Sequence, residues 1–549
     1  MIKKKVKFIF FLVFIFLIPI FFKAKELDIK NHKLIIHKAH LSTGWYYQDK
    51  NILDGILKIY FDIAKKDFDV VVDPGSIKAL IVPHAGIYFS GFCAASAYQT
   101  LFKNKEKFEK NKKIKRVIIL CPSHVKSFSG ICLPDYDIYQ TVLGNIKVDN
   151  ESIEILKKRN IFKNILETHC YEHAIEVQLP FLQKTIESFS IIPLICGSLQ
   201  TEDYSTIVDS LKDIIDDKTL VVISSDFTHH GKIYNYEIFK KNILDNVRFM
   251  DSVFLQAIIL KSFKIFDEYT KNQRSTICGQ IPIKILLKLL EEDVFGNVNT
   301  RVASYYTTSQ LQKAHNKDKI DIDINLLLEN VDDDQISNSV SYLGLIFTSQ
   351  KIEDLKKEDR LTEYEKKSLL TLSRRTISNY FRLENEKIPQ FLLWPILGEG
   401  IRQSGGSFVT LHTKNGCLQG CMGRIYSQDP LYKTVQNMSD MAAFNDKRFS
   451  PFKKEELNDV KIDISVLTPP KTVKSYGDIK LGKHGIILNK QNDNKDWISS
   501  VFLPNIPTSL GWNVEMTLQQ LSLKAGFGRE DWKKDCVFEI FETYQIQEE

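Results

Sequence analysis

At 549 residues, with 43% apolar and 26% charged residues, the chain is too long for one hydrophobic core and too apolar for wholesale disorder, so two or more folded units are expected. The net charge of +6 is small for this length, and the lysines are scattered among acids with no arginine-rich stripe, which speaks against a nucleic-acid partner. Nine irregularly spaced cysteines, with no paired CxxC pattern, make neither a disulfide framework nor a structural zinc cluster.

The chain opens on Lys3, Lys4, Lys5 and Lys7, around an apolar run over 6–22 that is broken only by Lys7 and Pro19. As a helix this run spans about 25 Å, just short of a hydrocarbon core. Phe22 stands two places before the small residue Ala24, which makes a poor cleavage site. The expectation is a signal anchor or signal peptide over 1–25, with the bulk of a membrane-anchored or exported chain outside the cytoplasm.

From 78 to 347 short Val/Ile/Leu runs alternate with helical patterns. Residues 79–82, 117–121, 191–195 and 220–223 read as strands buried on both faces, and 150–159 and 203–215 as crossover helices. This predicts an α/β sandwich around a mainly parallel sheet over 26–350, with 342–347 as a closing strand. An Asp/Asn-rich surface insertion is read at 316–339 and a charged linker at 351–360.

A second, α+β unit is predicted over 361–549. Thr362 and Glu365 form a capping-box pair ahead of a helical pattern, and Asn415-Gly416 joins two strand-like runs, 407–413 and one starting at Cys417. Further strands are read at 462–467, 485–488 and 537–543, and a helix at 514–524 ended by Gly526. Cys417 and Cys421, four apart on one strand, would stand about 13 Å apart, too far for a disulfide.

Three buried strands run directly into polar clusters: Pro83-His84-Ala85-Gly86, Pro122-Ser123-His124 and Ser224-Ser225-Asp226, with His229 and His230 just beyond. In open α/β sheets the carboxyl ends of strands share one edge where ligand crevices form, so His84, His124 and Asp226 are expected to converge. Imidazoles beside a carboxylate suit a transition metal or acid–base chemistry, although a single histidine is more often a hydrogen-bonded core or loop residue. Glu172 and Glu176 fall on one face of a short helix, where a solvated helix start is the simpler reading. Cys278 precedes a helix that takes Pro282 in its first turn. The helix dipole would lower its thiol pKa and favour a ligand or reactive thiol, against the alternative of a small buried hydrophobe.

Taken together, Val82-Pro83-His84-Ala85-Gly86, Pro122-Ser123-His124, the run from Glu172 to Pro180, Ser224-Ser225-Asp226-Phe227 and Cys278-Gly279 resemble the Memo-like family, also called AmmeMemoRadiSam system protein B, over most of 33–348. The resemblance implies a fold similar to ring-opening, extradiol-type non-haem iron dioxygenases. It also implies a metal held by His84, His124 and Cys278, with thiolate where the dioxygenases have carboxylate, and with Asp226, His229 and Glu172 lining the pocket. Fe(II) is the implied metal, with copper or zinc as alternatives. Gln280-Ile281 departs from the small or basic residues expected after Cys278-Gly279.

The second unit resembles the AMMECR family, AmmeMemoRadiSam system protein A, through Gly420-Cys421-Met422-Gly423, Ala442-Ala443-Phe444 on to Arg448-Phe449, Val466-Leu467-Thr468-Pro469-Pro470, His484-Gly485, Phe502-Leu503-Pro504, Gly511-Trp512 and Lys524-Ala525-Gly526, over nearly all of 361–545. Gln419 stands where an arginine usually precedes the Gly-Cys pair. The system's name implies a radical-SAM partner, yet the chain has no CxxxCxxC motif of its own.

Three readings follow: a redox-metal protein with dioxygenase-like architecture; a non-catalytic module using the same crevice for a small molecule or peptide; and an active C-terminal unit, with His412, Cys421 and His484 as its candidates.

Overall fold

The computed structural model describes residues 34–548 apart from 42–43, 103–113, 166, 315–323, 330 and 337. Four strands form the centre of the first unit, in the order Ser190–Cys196, Arg116–Pro122, Thr219–Ser224 and Ile77–Val82, all parallel. They are the Val/Ile/Leu runs read from the sequence, each extended by two residues, and nearly every side chain in them is buried. That composition needs cover on both faces.

Helix Gln280–Glu291 packs against Arg116–Pro122 and Thr219–Ser224, and Ile87–Tyr98 packs against Ile77–Val82. The expected crossover helices are Asn150–Leu156 and Asp203–Lys212. Asn338–Thr348 closes the sheet antiparallel to Ile77–Val82, and Asn299–Thr307 pairs with it in turn. The unit is α/β around a mainly parallel sheet. Because parallel strands point the same way, Val82, Pro122 and Ser224 end along one edge, and this edge carries the site.

In the second unit, helix Glu363–Tyr380 opens with the Thr362–Glu365 capping box. A largely antiparallel sheet runs Leu418–Arg424, Ser407–Thr413, Val460–Leu467, Cys536–Gln547, His484–Gln491, Trp497–Phe502. Gly416 takes φ +82° in the hairpin and Gly526 φ +83° after helix Val514–Lys524, left-handed positions that suit glycine. The apolar side chains form two lobes, one around Leu369, Val409, Val435 and Ile462, the other around Ile486, Leu488, Leu518 and Leu521.

The two units meet across Asp245, whose Oδ1 accepts from Arg248 Nη2 and Arg375 Nη2, both at 2.6 Å. Arg248 also donates from Nε to the carbonyl of Trp394 at 2.8 Å.

Three expectations change. The described part of the 316–339 segment is not a bare surface insertion: Leu327 joins the main core, and Val331 and Ile336 pack on Ile243 and Leu244. Glu172 and Glu176 do not make a solvated helix start, since each is only 1% exposed. The membrane-anchored or exported localisation is also corrected. Among the described residues no helix is long and apolar enough to cross a membrane, and the 1–25 segment on which that reading rested lies outside them.

Candidate metal centre

The sheet edge brings His84 and Cys278 into contact: His84 Nε2 lies 3.1 Å from Cys278 Sγ. The imidazole rings of His84 and His124 stand 5.1 Å apart at 81°. Two triplets have donor atoms within 4.8 Å of one another, His84–His124–His173 and His84–Asp226–Cys278, so His84 joins both halves of the site. Of the three residues expected to hold a metal, His84 groups with His124 in one triplet and with Cys278 in the other, while His124 and Cys278 share neither. His173, 4.4 Å from the His124 ring, is an addition that the sequence reading quoted without a role. Its adjacency to Glu172 was the available signal.

Proton accounting fixes the face each imidazole presents. Ser224 Oγ donates its one proton to the Ala174 carbonyl at 2.7 Å. It must therefore accept from His84 Nδ1, at 3.0 Å, and from Gln178 Nε2, at 2.9 Å. His84 thus carries its proton on Nδ1 and turns a lone pair on Nε2 toward Cys278. Burial, with His124 and His173 adding, holds its pKa well below the ordinary histidine range, so the ring is neutral.

His124 is arranged the same way. Its Nδ1 donates to Glu172 Oε1 at 2.8 Å and its backbone N–H to Glu172 Oε2 at 2.7 Å. Burial alone would raise the Glu172 carboxyl, but the hydrogen bonds from His124 overcome it and hold the group at about 2. A carboxylate on the far nitrogen of a histidine is the usual support of a metal ligand.

Asp226 Oδ1 accepts from the backbone N–H of His84 at 2.8 Å and of Ala85 at 3.4 Å, fixing the turn that carries His84. Burial raises its pKa. His229 donates from Nδ1 to the Phe227 carbonyl at 2.9 Å, and its backbone N–H bonds Thr276 Oγ1, tying it to the segment before Cys278. Cys278 accepts from the Asp226 backbone N–H at 3.2 Å. Its neighbour Gly279 must stay bare, because a Cβ there would lie 2.3 Å from Ser225 Cβ.

The expected lowering of the Cys278 pKa is overturned. Burial, followed by the negative charge of Asp226, pushes the thiol well above its usual value, and these outweigh the backbone donors. A bound cation would supply the missing positive charge. The donor set fits one: two imidazoles whose Nδ1 atoms face built-in partners and leave Nε2 as the ligand atom, with a sulfur beside one of them.

A second group, His37, His40 and Glu176, also has clustered donor atoms. There the Glu176 oxygens already accept from Tyr46 O–H at 2.6 Å and the backbone N–H groups of His40 and Leu41, with His40 Nδ1 at 2.7 Å. One His37 nitrogen, Nε2, donates to the His169 carbonyl. This group is a clasp holding the chain near residue 40, with little left over for a metal.

Comparison with known proteins agrees with the motifs. The Memo-like protein family matches residues 38–319, and the AMMECR1 family matches 370–546. The memo-1 homolog of Caenorhabditis elegans is 29% identical over 307 residues, 54% of this chain and 83% of that protein. Protein MEMO1 of Xenopus tropicalis is 32% identical over 280 residues, 49% and 89% of the two chains. Protein MEMO1 of Homo sapiens is 32% identical over 226 residues, 39% and 73%. The solved structure of uncharacterized protein PH0010 from Pyrococcus horikoshii covers 33% of this chain and 90% of its own at 29% identity, with a TM-score of 0.29, too low to bear on the fold. The chain belongs to the Memo-like protein family and carries an AMMECR1 unit behind its Memo unit.

Proposed function

We propose that this chain is a metal-dependent redox protein in which His84, His124 and Cys278 hold a transition metal, with Fe(II) the first candidate and copper or zinc the alternatives. The observation that carries the reading is the tautomer pair. Both histidines spend their Nδ1 protons on built-in acceptors, Ser224 and Glu172, and keep Nε2 free at the crevice. A histidine present only for packing has no need of that arrangement.

When bound, the metal would supply Lewis acidity and electron transfer at positions the protein leaves open. The chain's own groups then divide the remaining work. Glu172 and Ser224 orient the two imidazoles, and Asp226 holds the His84 turn through two backbone N–H groups. His229 commits Nδ1 to the Phe227 carbonyl, so Nε2 is the nitrogen through which it would exchange a proton with a bound substrate. His173 packs against Trp45, rings 4.2 Å apart and inclined by 35°, and walls the crevice beside His124.

Elemental analysis of protein purified without oxygen tests this. The expected result is about one metal ion per chain, reduced at least tenfold in Cys278→Ser and His84→Ala. Wild-type protein that stays metal-free with iron, copper or zinc supplied under reducing conditions would leave only the ligand-binding crevice.

A further inference from the structure

The C-terminal candidates His412, Cys421 and His484 each meet a local partner, Asp463, Thr410 and the Lys480 backbone, and among the described residues they gather at no common centre. The seam between the two units holds more. Arg248, on helix Ile243–Ile259 of the first unit, and Arg375, on helix Glu363–Tyr380 of the second, line one cavity of about 20 Å³ together with Tyr305, Tyr364 and Ser368. A space of this size holds one water molecule or one small ion, since a water needs roughly 10–15 Å³.

Neither the charges nor the hydrogen bonds at this cavity are complete. Arg248 gives Nε to the Trp394 carbonyl, and Nη2 to Asp245 and the Leu392 carbonyl. Arg375 gives Nη2 to Asp245. Among the described residues Arg248 Nη1, and Arg375 Nε and Nη1, meet no acceptor, and Asp245 is the only acid bonded to either guanidinium. Asp251, one turn beyond Arg248, is engaged instead by the hydroxyls of Thr228 and Tyr305. Two permanent cations, with side chains 7% and 15% exposed, therefore share one carboxylate. Burial, with Arg248 adding, holds Arg375 down at about 10 in spite of Asp245. An independent sign comes from Ser368. Its hydroxyl is buried and makes no hydrogen bond, and the Tyr364 hydroxyl beside it lies outside bonding geometry.

We propose that this cavity binds one small monovalent anion of the chloride class, held by the guanidiniums of Arg248 and Arg375 and the hydroxyl of Ser368, and that the ion joins the two units. A water molecule would fill the same space but leave one positive charge buried without a counter-charge, which is costly. A monovalent anion balances that charge and accepts the N–H and O–H groups left over. Sulfate or a phosphate ester exceeds both the volume and the single charge to be balanced. Because Arg248 comes from one unit, and Arg375 and Ser368 from the other, neither unit forms the site alone.

Crystals of the full chain grown from sodium bromide, with data collected at the bromine absorption edge, test this directly. The expected result is an anomalous peak between Arg248, Arg375 and Ser368 Oγ. In solution, ionic strength is held constant with sodium gluconate, whose anion is too large for the cavity. The unfolding equilibrium constant of the wild type should then fall about tenfold for each tenfold rise in chloride beyond half-saturation. Ser368→Val, whose two methyls occupy the space, should show no such dependence. If that variant does not fold, Ser368→Ala, which removes only the hydroxyl oxygen, should weaken it. Water alone between the arginines, wild-type stability indifferent to chloride, or an equal chloride dependence in the folded Ser368 variant would each overturn the proposal.

Discussion

Replacing Glu172 by glutamine isolates the support of His124 from the ligand itself. The carboxylate accepts three N–H groups: His124 Nδ1 at 2.8 Å and Ala174 N at 3.1 Å on Oε1, and His124 N at 2.7 Å on Oε2. A glutamine keeps one acceptor oxygen and turns an NH2 against at least one of these donors. One N–H is then left unpaired beside a buried group, at a cost of about 1–3 kcal/mol to the fold. His124 also loses the anion that fixes its tautomer, and loss of such a partner typically weakens metal binding by about 10–100-fold. Anaerobic titration with zinc(II) against a chromophoric chelator reads the affinity, and urea unfolding reads the stability. An affinity within about twofold of wild type would refute the reasoning, because it would mean that His124 is not a ligand or that Glu172 does not orient it.

Gly279→Ala should abolish metal binding and cost about 1–3 kcal/mol in urea, since the added methyl collides with Ser225 and drives Cys278 from His84; an unchanged metal content would contradict this. Asp251, buried between Thr228 and Tyr305, has its carboxyl raised by burial to about 6. The folded state therefore holds the proton more tightly than the unfolded chain. That stabilisation is complete below about pH 4 and is lost as pH rises through 6, amounting to about 3 kcal/mol. Asp251→Asn should remove this downward slope in urea midpoints between pH 4 and 6, and an unaltered slope would count against it. Asp245→Ala should cost about 3–5 kcal/mol by leaving Arg248 and Arg375 buried without their shared carboxylate, and a change below about 1 kcal/mol in calorimetry would show that the contact between units is weak.

The fold was legible where local composition decides structure. Continuous Val/Ile/Leu runs specify strands covered on both faces, and the polar residues ending three of them mark the edge where parallel strands must finish. The capping box at Thr362 and the turn at Gly416 are short-range signals of the same kind. What escaped the sequence depends on partners far along the chain. Glu172 is buried because His124, 48 residues away, meets it, and Glu176 because Tyr46, 130 residues away, does. A helix-surface reading of those two acids had no access to either. The Cys278 thiol failed for a different reason: a helix dipole is a modest, local term, and burial beside Asp226 exceeds it. His173 and Ser224 were visible as letters, but their tasks emerge only once hydroxyl and imidazole protons are assigned in three dimensions.

X-ray absorption at the edge of the bound metal tests the ligand assignment most directly. One sulfur neighbour at about 2.3 Å together with imidazole nitrogens near 2.0–2.1 Å for zinc is the expected first shell, with the sulfur lost in Cys278→Ser. A shell of nitrogen and oxygen alone in the wild-type protein would contradict the account.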